Sequence, residues 1–227
     1  MKNPGLINID VCGLCNKTCN YCPRSSSYPN EKEYMSIELF KKFVLDLDGY
    51  KGIVCFTGRG ENSLHPYFGA LVKILNHPTK TYKTRIISNG YKLQERRHYF
   101  ELFDIVILNS YDSLEMMEKR KELFPNAYHR YWDQNMKPEE WGETVVQVMN
   151  RTEMYEGTIQ KCCNDWTNTD IFGNIETDNI LDVWKSKEFV ELQQNLLKGN
   201  RACNKVCSTC NRELDARDKK RLKWLTA

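Results

Sequence analysis

Short apolar runs alternate with longer amphipathic stretches over the first 150 residues. The short runs are rich in β-branched residues, which favour strands, and the longer stretches have the periodicity of helices with one apolar face. The pattern predicts strands at Leu6–Val11, Gly52–Phe56, Thr84–Ile87, Ile105–Leu108 and Ala127–Trp132. It predicts helices at Ser36–Leu47, Phe68–Leu75, Leu93–Leu102, Ser113–Leu123 and Pro138–Val148. Strands that alternate with helices in this way form parallel sheets.

Five strand–helix units are too few for a closed eight-stranded barrel, which typically takes about 250 residues. We therefore predict an α/β fold with a partial (β/α) barrel of about five to six units over residues 1–150. After residue 150 the alternation ends, and turn-forming residues surround one amphipathic helix, Ile180–Leu197. Residues 151–227 are predicted to form a small cysteine-rich extension.

The charge distribution argues against some classes of partner. Lysine and arginine number 33, aspartate and glutamate number 30, and both signs are interspersed along the chain. The sequence shows no basic patch of the kind that binds nucleic acid or an anionic membrane, so a small or peptidic substrate is expected. It begins without an apolar signal segment and contains no run of about 18 apolar residues. A cytoplasmic location is therefore expected.

The chain contains ten cysteines, and most of them are clustered. Four lie near the N-terminus, at positions 12, 15, 19 and 22, five lie beyond residue 160, and Cys55 stands alone. The cytosol keeps thiols reduced, so clustered cysteines in a cytosolic chain indicate metal binding and not disulfides. The distribution predicts two separate metal sites.

Three of the N-terminal cysteines, Cys15, Cys19 and Cys22, lie on a loop directly after the first predicted strand. A [4Fe–4S] cluster normally takes four cysteine ligands, so three thiolates leave one iron open for a ligand that is not protein. The alternative is a zinc site with Cys12 as the fourth ligand, because Cys12 and Cys15 have a zinc-like spacing.

The spacing Cys-x-x-x-Cys-x-aromatic-Cys in this loop resembles the radical S-adenosylmethionine (SAM) superfamily, whose members carry it after the first strand of a partial barrel. Tyr21 occupies the aromatic position. The resemblance implies that Cys15, Cys19 and Cys22 bind a [4Fe–4S] cluster and that Tyr21 lines the adenine pocket. It also implies that SAM chelates the open iron, that one electron cleaves SAM to methionine and a 5′-deoxyadenosyl radical, and that this radical abstracts a substrate hydrogen.

A glycine-rich segment follows the second predicted strand, where glycines allow the backbone to approach a ligand closely. Gly58, Gly60 and Glu61 resemble the Gly-Gly-Glu-Pro motif of the superfamily, whose backbone receives the amino group of SAM. Asn62 stands where that motif has proline. The resemblance implies that the segment binds the cofactor, and a simple turn at the end of a strand is the alternative.

Polar residues follow the third and fourth predicted strands. Ser88 and Asn89 resemble the Thr-Asn-Gly of many superfamily members, which implies contact with cofactor or substrate, and a turn at Asn-Gly is the alternative. Ser110 lies at the predicted barrel mouth, where barrel enzymes place their sites, and is a candidate to bond the ribose of SAM. Asp112 or Ser113 is expected to cap the following helix.

The C-terminal cysteines resemble the SPASM or twitch extension of the same superfamily, in a shortened form. Cys162 follows a glycine at the usual interval, Cys207 and Cys210 form the closing Cys-x-x-Cys, and Cys203 takes the place of a missing upstream cysteine. The resemblance implies an auxiliary [4Fe–4S] cluster on these four residues, with Cys162 preferred to Cys163. A structural zinc site with four thiolates is the alternative.

The sequence therefore predicts a radical SAM enzyme of oxidoreductase type. It would abstract hydrogen from a small polar or peptidic substrate, oxidise, epimerise or rearrange it, and need a flavodoxin- or ferredoxin-type electron donor. Two other functions stay open at this point: a zinc-stabilised cysteine-rich binding module, and an electron carrier with two ordinary iron–sulfur clusters. Iron and sulfide content distinguishes a radical SAM enzyme from the zinc-stabilised module. Cleavage of SAM distinguishes it from the electron carrier.

Overall fold

The computed structural model describes residues 3–19, 22, 32–132, 151–155, 157–162, 165 and 169–208. Eight strands lie in this part of the chain: β1 (Leu6–Ile9), β2 (Ile53–Phe56), β3 (Lys83–Ser88), β4 (Ile105–Ser110), β5 (Tyr128–Tyr131), β6 (Arg151–Tyr155), β7 (Thr158–Gln160) and β8 (Ile171–Asn174). The α-helices there are α1 (Ile37–Asp46), α2 (Phe68–Leu75), α3 (Leu93–Phe100), α4 (Leu114–Leu123), α5 (Ile180–Lys185), α6 (Lys187–Leu197) and α7 (Lys205–Ser208). None of these helices is long and apolar enough to cross a membrane.

All eight strands form one sheet, in the order β5-β4-β3-β2-β1-β6-β7-β8. Strands β1 to β6 run parallel to one another, whereas β7 and β8 join by antiparallel pairing. Strand β1 is central, because Leu6 lies opposite Ile53 of β2 on one side and opposite Arg151 of β6 on the other. The boundary predicted at residue 150 lies directly before β6, so the sheet continues across it.

The core lies between the sheet and its helices. Alternate residues of the parallel strands contribute to one face, as the two-residue period of a strand requires. The buried members from β1 and β2 pack with apolar side chains of α1 and α2, and they include Ile7, Ile9, Val54, Phe56, Phe40, Phe43, Phe68 and Leu71. This packing fixes the strands, and with them the loops at their carboxyl ends.

The extension is anchored in the same core. Trp184 of α5 is fully buried and its ring centroid lies 5.1 Å from that of Phe189 in α6. Both side chains belong to the apolar cluster that contains β1 and α1. Lys42 of α1 also donates a hydrogen bond from Nζ to the carbonyl oxygen of Asp178, at 3.0 Å. Truncation of a buried tryptophan typically costs about 3–5 kcal/mol. The burial of Trp184 in the shared core therefore couples the stability of the extension to that of the rest of the chain.

The predicted α/β class and the five predicted strands are confirmed, with small differences at their ends. The first four predicted helices are confirmed as α1 to α4. Ser113, and not Asp112, caps α4, and its Oγ accepts a hydrogen bond from the Met116 N–H at 3.1 Å. The helix predicted at Pro138–Val148 lies outside the described residues.

The single helix predicted at Ile180–Leu197 is wrong, because α5 and α6 are separate. Ser186 lies between them with an extended backbone, at a ψ of 154°. Its Oγ accepts a hydrogen bond from the Phe189 N–H at 3.3 Å. A serine in this position satisfies an N–H of the first turn that has no partner within the helix, which favours a new helix start over a continuous helix.

Candidate functional site

The loops that follow β1, β2, β3 and β4 meet at one edge of the sheet. The carboxyl ends of parallel strands share an edge, and α/β enzymes bind their ligands there. These loops and strand ends contain the predicted cofactor residues and the first cysteine cluster: Cys15, Cys19, Tyr21, Cys22, Gly58, Gly60, Glu61, Ser88, Asn89 and Ser110. Of these, Tyr21 lies outside the described residues.

None of the three cysteines of the first loop forms a disulfide. Cys19 is buried, Cys15 and Cys22 are half-buried, and the Cys22 N–H donates to the Cys19 carbonyl oxygen at 2.9 Å. Soft thiolates of this kind suit zinc or iron–sulfur clusters. Among the described residues, no group of three His, Cys, Asp or Glu side chains is placed to hold a single metal ion. An iron–sulfur cubane is larger than a single ion, and each of its thiolates binds a different iron atom. Its ligands therefore need not lie as close together as those of a single ion.

Gly60 is where the loop after β2 comes closest to the cysteine loop. A Cβ atom on Gly60 would lie 1.8 Å from the carbonyl oxygen of Cys12 and 2.9 Å from that of Leu14. The Glu61 N–H donates to the same Leu14 oxygen at 2.8 Å. Only glycine allows this contact between two backbones, so the glycine-rich segment lies directly against the loop that carries the three thiols.

Two side chains fasten these loops near Gly58. The Asp10 carboxylate accepts from the Arg59 N–H at 2.7 Å, and a Cβ on Gly58 would meet that carboxylate at 2.2 Å. The Asn62 side-chain oxygen accepts from the Val11 N–H at 2.9 Å. Asn62, which stands where the superfamily motif has proline, therefore ties the segment to the end of β1.

The Glu61 carboxylate connects the loop after β2 to the end of β3. It is 4% exposed, and its Oε1 accepts from the hydroxyls of Ser63 at 2.7 Å and Ser88 at 2.8 Å. Its Oε2 accepts from the Asn89 N–H at 2.7 Å. These bonds hold the Glu61 and Ser88 side chains to each other. Direct cofactor contact by Glu61 and Ser88 stays a prediction.

Asn89 reaches from β3 to the cysteine loop. Its side-chain Nδ2 donates to the Asn16 side-chain oxygen at 2.8 Å and lies 4.0 Å from the Cys15 sulfur. Its own oxygen accepts from the Tyr91 N–H at 3.0 Å. An amide donor beside a thiolate stabilises the negative charge of the sulfur, so Asn89 is placed to support a cluster ligand.

A charged network fastens the cysteine loop to the loop after β4. Lys17, between two of the predicted ligands, forms an ion pair with Asp112. Arg120 of α4 donates to Asp112 at 2.9 Å and to the buried Ser110 hydroxyl at 2.8 Å. Partial burial raises the pKa of Asp112, but hydrogen bonds from Lys17 and Arg120 outweigh it and lower the pKa overall. The Asp112 carboxylate therefore stays ionised. Binding of the SAM ribose by Ser110 stays a prediction.

Tyr111 is a site residue that was not predicted from the sequence. Burial raises the pKa of its hydroxyl, and the nearby Cys19, Glu61 and Cys15 groups raise the pKa further. The hydroxyl accepts a hydrogen bond from the Asn109 side chain at 3.1 Å. The raised pKa keeps the Tyr111 hydroxyl neutral. The signal available in the sequence was its position directly after β4.

His65 holds the loop after β2 in place through contacts of its ring with two backbone groups. Its Nδ1 accepts from the Tyr67 N–H and its Nε2 lies 3.0 Å from the Met35 carbonyl oxygen, so the neutral ring carries its hydrogen on Nε2. The ring is 1% exposed, and burial lowers its pKa despite the Met35 hydrogen bond. His65 therefore links the loop after β2 to Met35, near the end of the segment between β1 and α1 that contains the cysteines.

We expect the folded protein to lose stability as the pH falls below about 6.5, the pKa of an unfolded histidine. The unfolded chain gains a proton on His65 there, whereas the folded ring resists protonation, so acid favours unfolding. Urea unfolding at about pH 7.5 and about pH 5.5 should show a smaller loss in His65→Gln than in the wild type. His98→Gln, at an exposed position, should match the wild type. Equal losses in His65→Gln and the wild type would contradict this assignment.

The extension brings three of its four predicted ligands to one region. Cys162 follows β7, Cys203 ends a 3₁₀ turn, and Cys207 is buried on α7. Cys210 and the alternative ligand Cys163 lie outside the described residues. Cys203 is exposed, in contrast to Cys207. The ligand set of the extension stays a prediction.

Arg59 links the two predicted sites, and sequence reasoning missed it. Its Nη2 donates to the Asp165 carbonyl oxygen at 2.7 Å and to the Gln160 side chain at 3.2 Å. The Asp165 carboxylate accepts from the N–H groups of Thr169 at 3.0 Å and Asp170 at 2.8 Å, so it holds these two residues close to residue 165. One buried guanidinium therefore joins the glycine-rich loop to the extension.

The chain is similar to known proteins both in its extension and over nearly its whole length. Residues 154–211 match the SPASM family, an iron–sulfur cluster-binding domain. This range contains the four predicted auxiliary ligands. An S-adenosyl-L-methionine-dependent 2-deoxy-scyllo-inosamine dehydrogenase from Niallia circulans is 23% identical over 230 residues, which cover 91% of this chain and 92% of that protein.

Solved structures show the same fold. BtrN in complex with AdoMet and 2-DOIA has a TM-score of 0.80 at 20% identity, over 96% of each chain. Native anSMEcpe with bound AdoMet and a Cp18Cys peptide has a TM-score of 0.50 at 12% identity, over 83% of this chain and 82% of that chain. Together the comparisons confirm the predicted partial barrel and the SPASM extension, and they show that the chain is similar to a SAM-dependent enzyme over nearly its whole length.

Proposed function

We propose that this chain, which has the fold of radical SAM enzymes and carries a SPASM domain, holds a [4Fe–4S] cluster on Cys15, Cys19 and Cys22 and binds SAM at the open iron. When bound, these groups supply one-electron cleavage of SAM, a hydrogen-abstracting 5′-deoxyadenosyl radical and, in the extension, an electron acceptor. The observation that carries the proposal is the contact of Gly60 with the cysteine loop at a distance that excludes any side chain.

The donor set fits such a cluster. Three thiols lie on one loop, and the loop is held from three strand ends: by Gly60 after β2, by Asn89 after β3 and by the Lys17–Asp112 pair after β4. The chain's own residues would therefore orient the cluster, while the cofactors supply the chemistry. A loop held from three sides also limits the motion of its ligands.

We propose oxidation of a small polar molecule as the reaction. The support is the dehydrogenase from Niallia circulans, which is similar over nearly its whole length and is named for a deoxy-inosamine. Peptide binding by anSMEcpe makes a peptidic substrate the second candidate. A flavodoxin- or ferredoxin-type protein is the proposed electron donor, because such carriers deliver single electrons at low potential.

The proposal is tested on protein purified without oxygen. We expect about eight iron atoms per chain, as two cubanes require, and formation of 5′-deoxyadenosine when SAM and a strong reductant are added. Deuterated polyols, amino-polyols and a peptide pool are then compared as donors of deuterium to 5′-deoxyadenosine. Zinc in place of iron would support a binding module, and clusters that leave SAM intact would support an electron carrier.

A further inference from the structure

Lys161 places a buried positive charge at the predicted auxiliary site. It directly precedes Cys162 at the end of β7 and is 4% exposed. Its ammonium forms an ion pair with Asp170 and donates a hydrogen bond to the Asn204 side-chain oxygen. A buried lysine is rare in proteins, because removal of the ammonium from water is costly unless nearby groups compensate.

The same network reaches the segment that carries the other cysteines. The Asn204 side-chain oxygen accepts from the Cys207 N–H at 3.0 Å, and its Nδ2 donates to Asp170 at 2.7 Å. Asn204 also directly follows Cys203 in the sequence. One ammonium therefore holds the end of β7 to the 3₁₀ turn and α7, the two places from which the described ligands come.

The Lys161 network reaches the backbone beside each described cysteine of the extension. Cys162 follows Lys161 directly in the chain, and Cys203 directly precedes Asn204, whose side chain accepts from Lys161 and from the Cys207 N–H. A buried ion pair alone is weak evidence of function, because it often contributes little net stability. What distinguishes this one is that its hydrogen bonds join the segments that carry the described cysteines.

We propose that Lys161 is the positioning residue of the auxiliary cluster and that its positive charge favours the reduced cluster. The inference rests on the proposed function of the extension. A cubane with four thiolates is anionic, and each added electron increases the negative charge. A fixed cation nearby lowers the free energy of the reduced state more than that of the oxidised state, so it raises the reduction potential.

The test compares Lys161→Met with Lys161→Arg in the anaerobic holoprotein, by redox titration followed by electron paramagnetic resonance. Loss of the charge in Lys161→Met should reduce the equilibrium constant for auxiliary-cluster reduction about tenfold, which is about 59 mV for one electron. Lys161→Arg keeps the charge and should stay near the wild type. The cluster on the first loop serves as the internal reference and should not shift.

Two further variants complete the design. Lys205→Met removes a charge two residues from Cys207 at an exposed position, where solvent screens it, and should leave the potential unchanged. Asp170→Asn removes the carboxylate beside Lys161 and should raise the potential, and it keeps the test valid if Lys161→Met does not fold. Iron loss from Lys161→Met alone, with Lys161→Arg loaded, would also support the proposal.

A wild-type potential in a loaded Lys161→Met protein would overturn the proposal. Equal iron loss in Lys161→Met and Lys161→Arg, with the fold intact, would overturn it as well, because charge would then not be the cause. Failure of the proposed function is recognised separately, in the wild type, by the absence of iron from the extension or of 5′-deoxyadenosine from the reaction. That product depends on the first loop and not on Lys161.

Discussion

Cys19→Ala is expected to reduce 5′-deoxyadenosine formation to the level without enzyme. Cys19 is buried at 6% exposure and supplies one of only three proposed thiolates, so a cluster in the variant would have two protein ligands. Two ligands cannot hold a cubane and also leave a defined open iron for SAM. The measurement is product formation under a strong reductant, together with iron content, which should fall by about half because only the first cluster is lost.

Cys12→Ala is the matched control for this loop. Cys12 is also buried, and its sulfur lies 3.6 Å from the Leu14 carbonyl oxygen, but it is not one of the three proposed ligands. The variant should keep its iron and its activity. In the zinc alternative Cys12 is the fourth ligand, so loss of metal in Cys12→Ala would favour that alternative. Sustained SAM cleavage by Cys19→Ala would remove the basis of the proposed function.

Gly60→Ala is expected to reduce SAM cleavage by about a hundredfold, the order of effect of a 1 Å misplacement at a reacting centre. The added methyl carbon would lie 1.8 Å from the Cys12 carbonyl oxygen, which is backbone and cannot rotate away. The loops after β1 and β2 must therefore separate, and the Glu61 N–H loses its bond to Leu14. SAM affinity measured by calorimetry should fall with activity.

Gly199→Ala is the control for a glycine without such a contact. Gly199 has a φ of 78°, and no atom lies within 4 Å of a Cβ built on it. The substitution should cost roughly 1–2 kcal/mol through backbone strain alone and leave SAM cleavage intact. Wild-type affinity in Gly60→Ala would show that the close approach of the two loops does not serve cofactor binding.

The sequence predicts the elements whose signals are local. Strands β1 to β4 follow from β-branched runs and β5 from aromatic residues, and α1 to α4 follow from apolar periodicity together with caps such as Ser36 and Ser113. The break at Ser186 was missed because the apolar residues of α5 and α6 keep a helical period across it. Strands β6 to β8 were missed because polar or turn-forming residues interrupt their apolar positions.

The candidate site also has some features that could be predicted from the sequence and others that could not. The cysteine spacings and the glycine-rich segment are local patterns, so they could be read directly. Arg59 and Lys161 could not, because each acts through a partner distant in sequence: Arg59 through Asp165, and Lys161 through Asn204. Only the register of the strands and the return of the extension to the sheet bring these pairs together. Contacts of this kind leave no pattern within a short window of sequence.

The central position of β1 has a consequence for protein engineering. Since β1 is flanked by β2 and by β6, a chimera joined at residue 150 would receive its β6 from a foreign parent. The graft would succeed only if the donor strand reproduced the alignment of Leu6 with Arg151 and of Ile9 with Met154. The SPASM region of this chain is therefore not freely exchangeable for that of a relative, and a crossover at residue 150 or between β6 and β8 would place foreign strands in the sheet.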